Sequence, residues 1–256
     1  MAWQWDKLSD LQRLLATVAG VALQEDTRRS RFLYNLSLGA INLSGSKLAQ
    51  VDLSSSDLRG ARLDRADLRK ANLERTRLES ASLSRANLSW TESSEIDLRW
   101  SVLEGCDLTE AVLRKAILTD ADLRDAILNR ADLAGADLSR ARAGGAVMES
   151  VDLSTALLRN ADLRGASLPL ADLTQADLRD AILDKADLRG ADLAGAMLEG
   201  ASLEEVLLSD SAIDEEGVSL GTILSDREPA ALVEKEVLLG ARWRRISING
   251  KWIERE

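Results

Sequence analysis

Fourteen aspartates hold the same place in a short repeating word, and four of them, Asp132, Asp152, Asp172 and Asp192, follow one another at twenty-residue intervals. Carboxylates can act as general acids or bases, hold hard cations, or offer fixed charge to a basic partner. Acid–base catalysis needs carboxylates in unlike surroundings, whereas a letter repeated along an array marks no single pocket. The chain has no histidine, so Ser-His and Cys-His nucleophiles, zinc-His sites and every imidazole base are absent. Cys106 falls where the word carries a small residue and reads as an alanine substitute, not as a nucleophile. The glycines show neither phosphate-loop nor dinucleotide-fold spacing. The chain therefore reads as a non-enzyme without cofactor or metal.

What must position these aspartates is the word itself. From Leu36 to Glu215 the chain divides into 36 consecutive pentapeptides with no insertion or deletion. Leucine fills the third slot in 32 of them, the exceptions being Ser93, Ala143, Met148 and Ile213, and alanine fills the first slot in 23. Runs such as Ala66-Asp67-Leu68-Arg69, Ala121-Asp122-Leu123-Arg124 and Ala186-Asp187-Leu188-Arg189 repeat one phrase.

A period of five suits neither regular element. In a helix each leucine would be rotated about 140° from the last, leaving no apolar stripe, and in a straight strand successive leucines would fall on opposite faces. Each unit must turn the chain. Slots one and three lie two apart and point the same way in a short extended segment, a small and a large side chain together filling a narrow interior. Slots four and five, rich in Gly, Ser, Asn, Asp and Arg, supply the bend.

These units resemble the pentapeptide-repeat family, whose word is A(D/N)LXX, over about 70% of the chain. The resemblance implies an all-β solenoid: a right-handed, quadrilateral parallel β-helix of 20 residues per coil. Thirty-six units would then make about nine coils, a solid rod of about 40 Å at the ~4.8 Å strand spacing. Some family members resemble B-DNA in width and charge and bind type II topoisomerases, protecting them from inhibitors. The family is also abundant in cyanobacteria, which permits a role in assembling or regulating a photosynthetic or developmental complex.

A solenoid exposes raw backbone and apolar interior at its ends, so caps are expected. Residues 1–35 read as an N-terminal cap, with Leu8, Leu11, Leu14, Leu15 and Val18 at helical spacing over residues 6 to 23. Residues 216–256 read as a C-terminal cap or docking module, with a short helix from Ala230 to Leu239 and then a β-hairpin. Asn249-Gly250 makes its two-residue turn, and Arg245 pairs with Glu254 across it. This tail, which carries Trp243 and Trp252, could cap, dimerise or dock. Within the array, Ser93 stands where leucine belongs, between Trp90 and Trp100. Either a tryptophan fills the gap or the two aromatics anchor a partner. Ala143 is a second thin spot.

The chain carries 33 Lys plus Arg against 43 Asp plus Glu, a net charge of −10, which opposes direct binding to nucleic acid or an anionic membrane. The lone cysteine and the lack of a basic-then-apolar leader fit a cytoplasmic protein, and no apolar run is long enough to span a bilayer. Units four apart share a side of the four-sided coil. Slots two, four and five then sum to −2, −1, −1 and −7 over the four sides taken in order from Leu36. The acidic fourth side bears Asp132, Asp152, Asp172 and Asp192. Such a ladder is either a file of turn-bonded aspartates on a solvated face or a landing strip for a basic protein groove. A DNA mimic would need more charge: duplex DNA carries one charge per about 1.7 Å, and a net −11 over the array is less than half that density. The expected activity is therefore protein binding or scaffolding, with DNA mimicry toward gyrase or topoisomerase IV as the alternative.

Overall fold

The computed structural model describes residues 34–208, 241–242, 244–248 and 251–254. Parallel bridges join each second-slot residue to the one twenty positions on, from Ser37↔Asp57 to Asp187↔Leu207. A coil therefore takes four pentapeptides, and residues 34–208 wind through just under nine of them. The sides, numbered in chain order, begin at Leu36, Ile41, Ser46 and Val51; the corner after each side takes that side's number.

The coil closes because, in a unit with Asp or Asn in slot two, every backbone N–H has an assigned place, as buried polar backbone requires. In the unit Ala121–Asp125, Asp122 N donates to Ser101 O of the coil before at 2.9 Å, while Leu123 N donates to Arg142 O of the coil after at 2.6 Å. Asp125 N reaches Gly144 O, also of the coil after, at 3.2 Å. Ala121 N closes the preceding turn onto Leu118 O at 3.0 Å. The slot-four N–H remains, and the second-slot side chain takes it: Arg124 N donates to Asp122 Oδ1. Aspartate and asparagine are interchangeable there, since Asn42, Asn72 and Asn87 accept from Ser44, Glu74 and Ser89 in the same way.

The interior is one apolar column. Third-slot leucines from Leu38 to Leu208 and first-slot residues, mostly alanine, form a single cluster with almost no accessible surface. Leucine lies on leucine at about 4.8 Å, which fills the square section without aromatics.

Each of the 35 fifth-slot residues from Asn35 to Glu205 has positive φ, between 54° and 71°, and only nine of them are glycine. That conformation at the third residue of a tight turn is what bends the chain through each corner. For a residue with a Cβ it costs about 1–2 kcal/mol, a strain sustained because the ladders on either side fix the corner. Thr155, with φ 56°, is the β-branched residue of this set and the most strained. Thr155→Gly should raise stability by about 1 kcal/mol, read as a higher urea midpoint at unchanged slope; a lower midpoint would mean that the corner carries no such strain.

Beyond the array the chain returns to the same frame. Arg242 bridges Ser202 and Ser247 bridges Leu207, each forty residues on, two coils' worth. Leu203 N donates to Arg242 O at 2.8 Å and Ser247 N to Val206 O at 2.9 Å, and Ala241 and Ile246 are buried in first-slot places. Strand β1 (Leu207–Leu208) pairs in parallel with β2 (Arg245–Ile248), which pairs antiparallel with β3 (Lys251–Glu254). Arg245 opposes Glu254, the register that the Asn249-Gly250 turn predicts. Ala241-Arg242 and the hairpin's first strand thus occupy the place of the next coil on the second and third sides, respectively. The helices expected over residues 6 to 23 and from Ala230 to Leu239, and the array beyond Leu208, lie outside the described residues. Among the described residues no helix is long and apolar enough to cross a membrane.

Candidate functional site

Because slots one and three are consumed by the core, chemistry is confined to slots two, four and five. Their charges follow a rule. Wherever the word reads Asp-Leu-Arg, the slot-four guanidinium folds back onto the slot-two carboxylate with two hydrogen bonds: Arg59 on Asp57, Arg69 on Asp67, Arg124 on Asp122, Arg164 on Asp162 and Arg189 on Asp187. Arg99–Asp97 and Arg179–Asp177 do the same. This fork geometry is the strong form of the ion pair. The guanidinium hydrogen bond holds the carboxyls of Asp57, Asp67, Asp122, Asp162 and Asp187 below the usual aspartate range.

None of these seven units lies on the fourth side. There, slot four carries Ala134, Ser154, Thr174 and Ala194 beside Asp132, Asp152, Asp172 and Asp192. Bridges Asp132↔Asp152↔Asp172↔Asp192 place the four carboxylates in one file along the rod. Each accepts its own slot-four N–H, at 3.2, 2.9, 2.9 and 2.9 Å. Arg114 reaches Asp132 from the coil before, at 2.5 Å. Asp152, Asp172 and Asp192 have no cation within 4 Å among the described residues, and all three are partly open to solvent. The turn-bonding role and the free charge therefore coexist: Oδ1 serves the backbone, and Oδ2 of Asp152, Asp172 and Asp192 has no hydrogen-bond donor among the described residues. Small neighbours leave that face flat.

The tryptophans are not brought together. Trp90 and Trp100 are fifth-slot residues two units apart, which puts them on diagonally opposite corners, 51% and 56% exposed. Neither fills the gap at Ser93. That expectation is corrected: a corner residue with positive φ directs its side chain out of the coil, and Ser93 is sealed in the interior with a hydroxyl that finds no partner. The Arg99 guanidinium lies 5.5 Å from the Trp100 ring centroid, within cation–π range. The Asp120 carboxyl one coil on is held below its usual range, first by Arg140 and to a lesser degree by Trp100. Trp90 has no such engagement among the described residues. Trp252 lies on β3 opposite Ser247, and Trp243 lies outside the described residues.

Cys106 is fully buried, its thiol donates to Ala86 O at 3.2 Å, and burial pushes its ionisation upward, so the thiolate that nucleophilic chemistry needs is disfavoured. Sequence reasoning passed over two features. The in-frame return of Ala241-Arg242 was legible as the Ala-Arg opening that the units at Ala61-Arg62 and Ala141-Arg142 also carry. The second is a pair of stacked arginines, Arg65 and Arg85, whose twenty-residue separation was equally visible.

The match to a known family agrees with this five-residue frame. The family model described as pentapeptide repeats matches in eight copies over residues 37–75, 61–92, 94–130, 131–168 and 171–210. Among solved structures, HetL, a pentapeptide repeat protein involved in heterocyst differentiation regulation from the cyanobacterium Nostoc sp. strain PCC 7120, is 30% identical. The match covers 81% of this chain and 100% of HetL, with a TM-score of 0.42. A second Nostoc PCC 7120 pentapeptide repeat protein is 34% identical over 52% of this chain and 84% of that one, with a TM-score of 0.25. QnrB1, a plasmid-mediated fluoroquinolone resistance protein, is 16% identical over 73% of this chain and 89% of that one, with a TM-score of 0.36. A search of curated proteins gives no match.

Proposed function

Because the chain belongs to the pentapeptide-repeat family, whose members form right-handed four-sided β-helices, we propose that it is a non-catalytic rod whose fourth side docks a basic surface of a protein partner. The observation that carries this reading is the contrast between neutralised and open carboxylates. Seven Asp-Leu-Arg units cancel their own charge, while Asp152, Asp172 and Asp192 keep theirs on a flat face. Fixed charges in register steer and orient a complementary partner more than they add raw affinity. The Trp90 corner adjoins this side and would lend an aromatic anchor at its edge. Dimerisation or docking through the β2–β3 hairpin is compatible with the same role.

DNA mimicry toward a type II topoisomerase is the second reading, and the same file of regularly spaced carboxylates favours it. It is the weaker of the two because the excess of negative charge is concentrated on one side of four, whereas a duplex is charged all round.

Both readings are tested by one variant, Asp132, Asp152, Asp172 and Asp192 all changed to Asn. Asparagine keeps the turn bond, as Asn72 does to Glu74, so the rod should fold unchanged. Partners captured by the wild-type rod from its host at low salt should be lost by the variant and released by added salt. If mimicry operates, the wild-type rod should also inhibit gyrase supercoiling, and the variant should not. An identical capture profile for both proteins would overturn the docking role of this side.

A further inference from the structure

The corners carry a second charge rule, and one place breaks it. Fifth-slot residues twenty apart lie over one another, and where both are charged they are of opposite sign. Examples are Arg75 with Glu95 at 3.1 Å, Arg130 with Glu110 at 3.7 Å, Arg140 with Asp120 at 2.7 Å and Lys185 with Glu205 at 3.9 Å. Among the described residues, Arg65 over Arg85 on the second corner is the one like-charged pair.

These two arginines border a groove of about 430 Å³ lined by Asp64, Arg65, Ser84, Arg85 and Glu104. The carboxylates in that lining are already answered. Asp64 accepts from the Ser82 hydroxyl and from Ser84 N at 3.2 Å and lies 3.8 Å from Arg62, and Glu104 lies 3.4 Å from Arg124. Neither Arg65 nor Arg85 has a carboxylate within 4 Å among the described residues. The Ser84 hydroxyl likewise has no protein partner there. The Arg85 stem runs over Gly105, where a Cβ would meet its Cγ at 3.4 Å, so the absence of a side chain at that position leaves the arginine a path along the rod. The groove thus holds two uncommitted guanidiniums and one uncommitted hydroxyl, on a protein whose net charge is −10.

We propose that this groove binds a phosphoryl dianion. Two forks match its two charges and its tetrahedral oxygens bidentately, a hydroxyl adds a neutral donor, and the like-charge repulsion between the arginines is relieved when the anion enters. A single carboxylate would neutralise only one of their two charges. The second corner does not border the acidic fourth side, so this site stands apart from the docking face.

The test is isothermal titration calorimetry of the full chain at low ionic strength with inorganic phosphate and, separately, with O-phosphoserine, using acetate at matched ionic strength as the reference anion. Phosphate or phosphoserine should bind where acetate does not, and the double variant Arg65→Gln/Arg85→Gln should weaken that binding at least about tenfold. The tighter of the two ligands then identifies the source as the free ion or a group carried on a side chain. Both arginines are exposed, and their removal eliminates a repulsion, so an unchanged circular dichroism spectrum is expected for the variant. Equal heats for acetate and phosphate, or equal affinity of the double variant and the wild type, would overturn the proposal.

Discussion

Leu118→Ala should lower the stability of the rod by about 3–4 kcal/mol, measured as the loss in urea unfolding free energy. Leu118 has no exposed surface, and it lies in the first-side column between Leu98 and Leu138, themselves essentially buried. In a globular core, neighbours can lean into the space that a truncated leucine leaves. Here the backbone is held on both sides by ladder bonds, Leu118 N to Asp137 O at 2.7 Å and Leu98 N to Ile117 O at 2.7 Å. The column cannot shorten, and the alanine leaves most of the removed volume empty. The cost therefore belongs at the upper end of the range for large-to-small changes. A loss under about 1 kcal/mol would mean that the coils do slide together.

The converse change is Ser93→Leu, which should raise stability by about 3–5 kcal/mol. Ser93 stands in the fourth-side column between Leu73 and Leu113, with no exposed surface. Its backbone keeps the ordinary ladder, Ser93 N to Val112 O at 2.8 Å and Leu73 N to Glu92 O at 2.7 Å, so the backbone frames this position as it does everywhere else along the column. Two gains combine: apolar burial worth about 1.5–3 kcal/mol and removal of a hydroxyl that is sealed without a partner, a defect that itself costs about 1–3 kcal/mol. Ser93→Ala separates them, since it removes the hydroxyl without filling the space and should recover only the second gain. A destabilised Ser93→Leu protein would show that the neighbouring leucines already occupy the volume.

The five-residue frame made most of the fold legible, because inward and outward positions follow from spacing alone. The same frame sorted the fourth-side aspartates into a file before any geometry was known. Two physical facts were not legible. The first is that slot five adopts the left-handed conformation at Trp90, Leu170 and Thr155 as readily as at Gly60. A propensity argument assigns that geometry to glycine, and the ladders override it. The second is that an aspartate's charge depends on its neighbour two residues on. Asp172 and Asp187 carry the same letter in the same slot, yet only Asp187 is closed by an arginine, Arg189, at 2.5 Å. Composition counts the two alike; the turn that folds slot four back over slot two distinguishes them. Trp90 and Trp100 were misjudged for a related reason: closeness along the chain means opposite corners when each unit turns through a right angle.

That right angle has a further consequence for how the protein can change length. Four pentapeptides added or removed together restore every face to its former bearing, and the forty-residue offset between Ser202 and Arg242 respects that cycle. A single inserted pentapeptide between Asn72 and Asp132 would leave the core intact, yet it would swing the whole carboxylate file a quarter turn relative to the N-terminal coils. Length in this molecule is thus coupled to angular phase, and two binding faces on one rod stay aligned only if growth proceeds in whole coils.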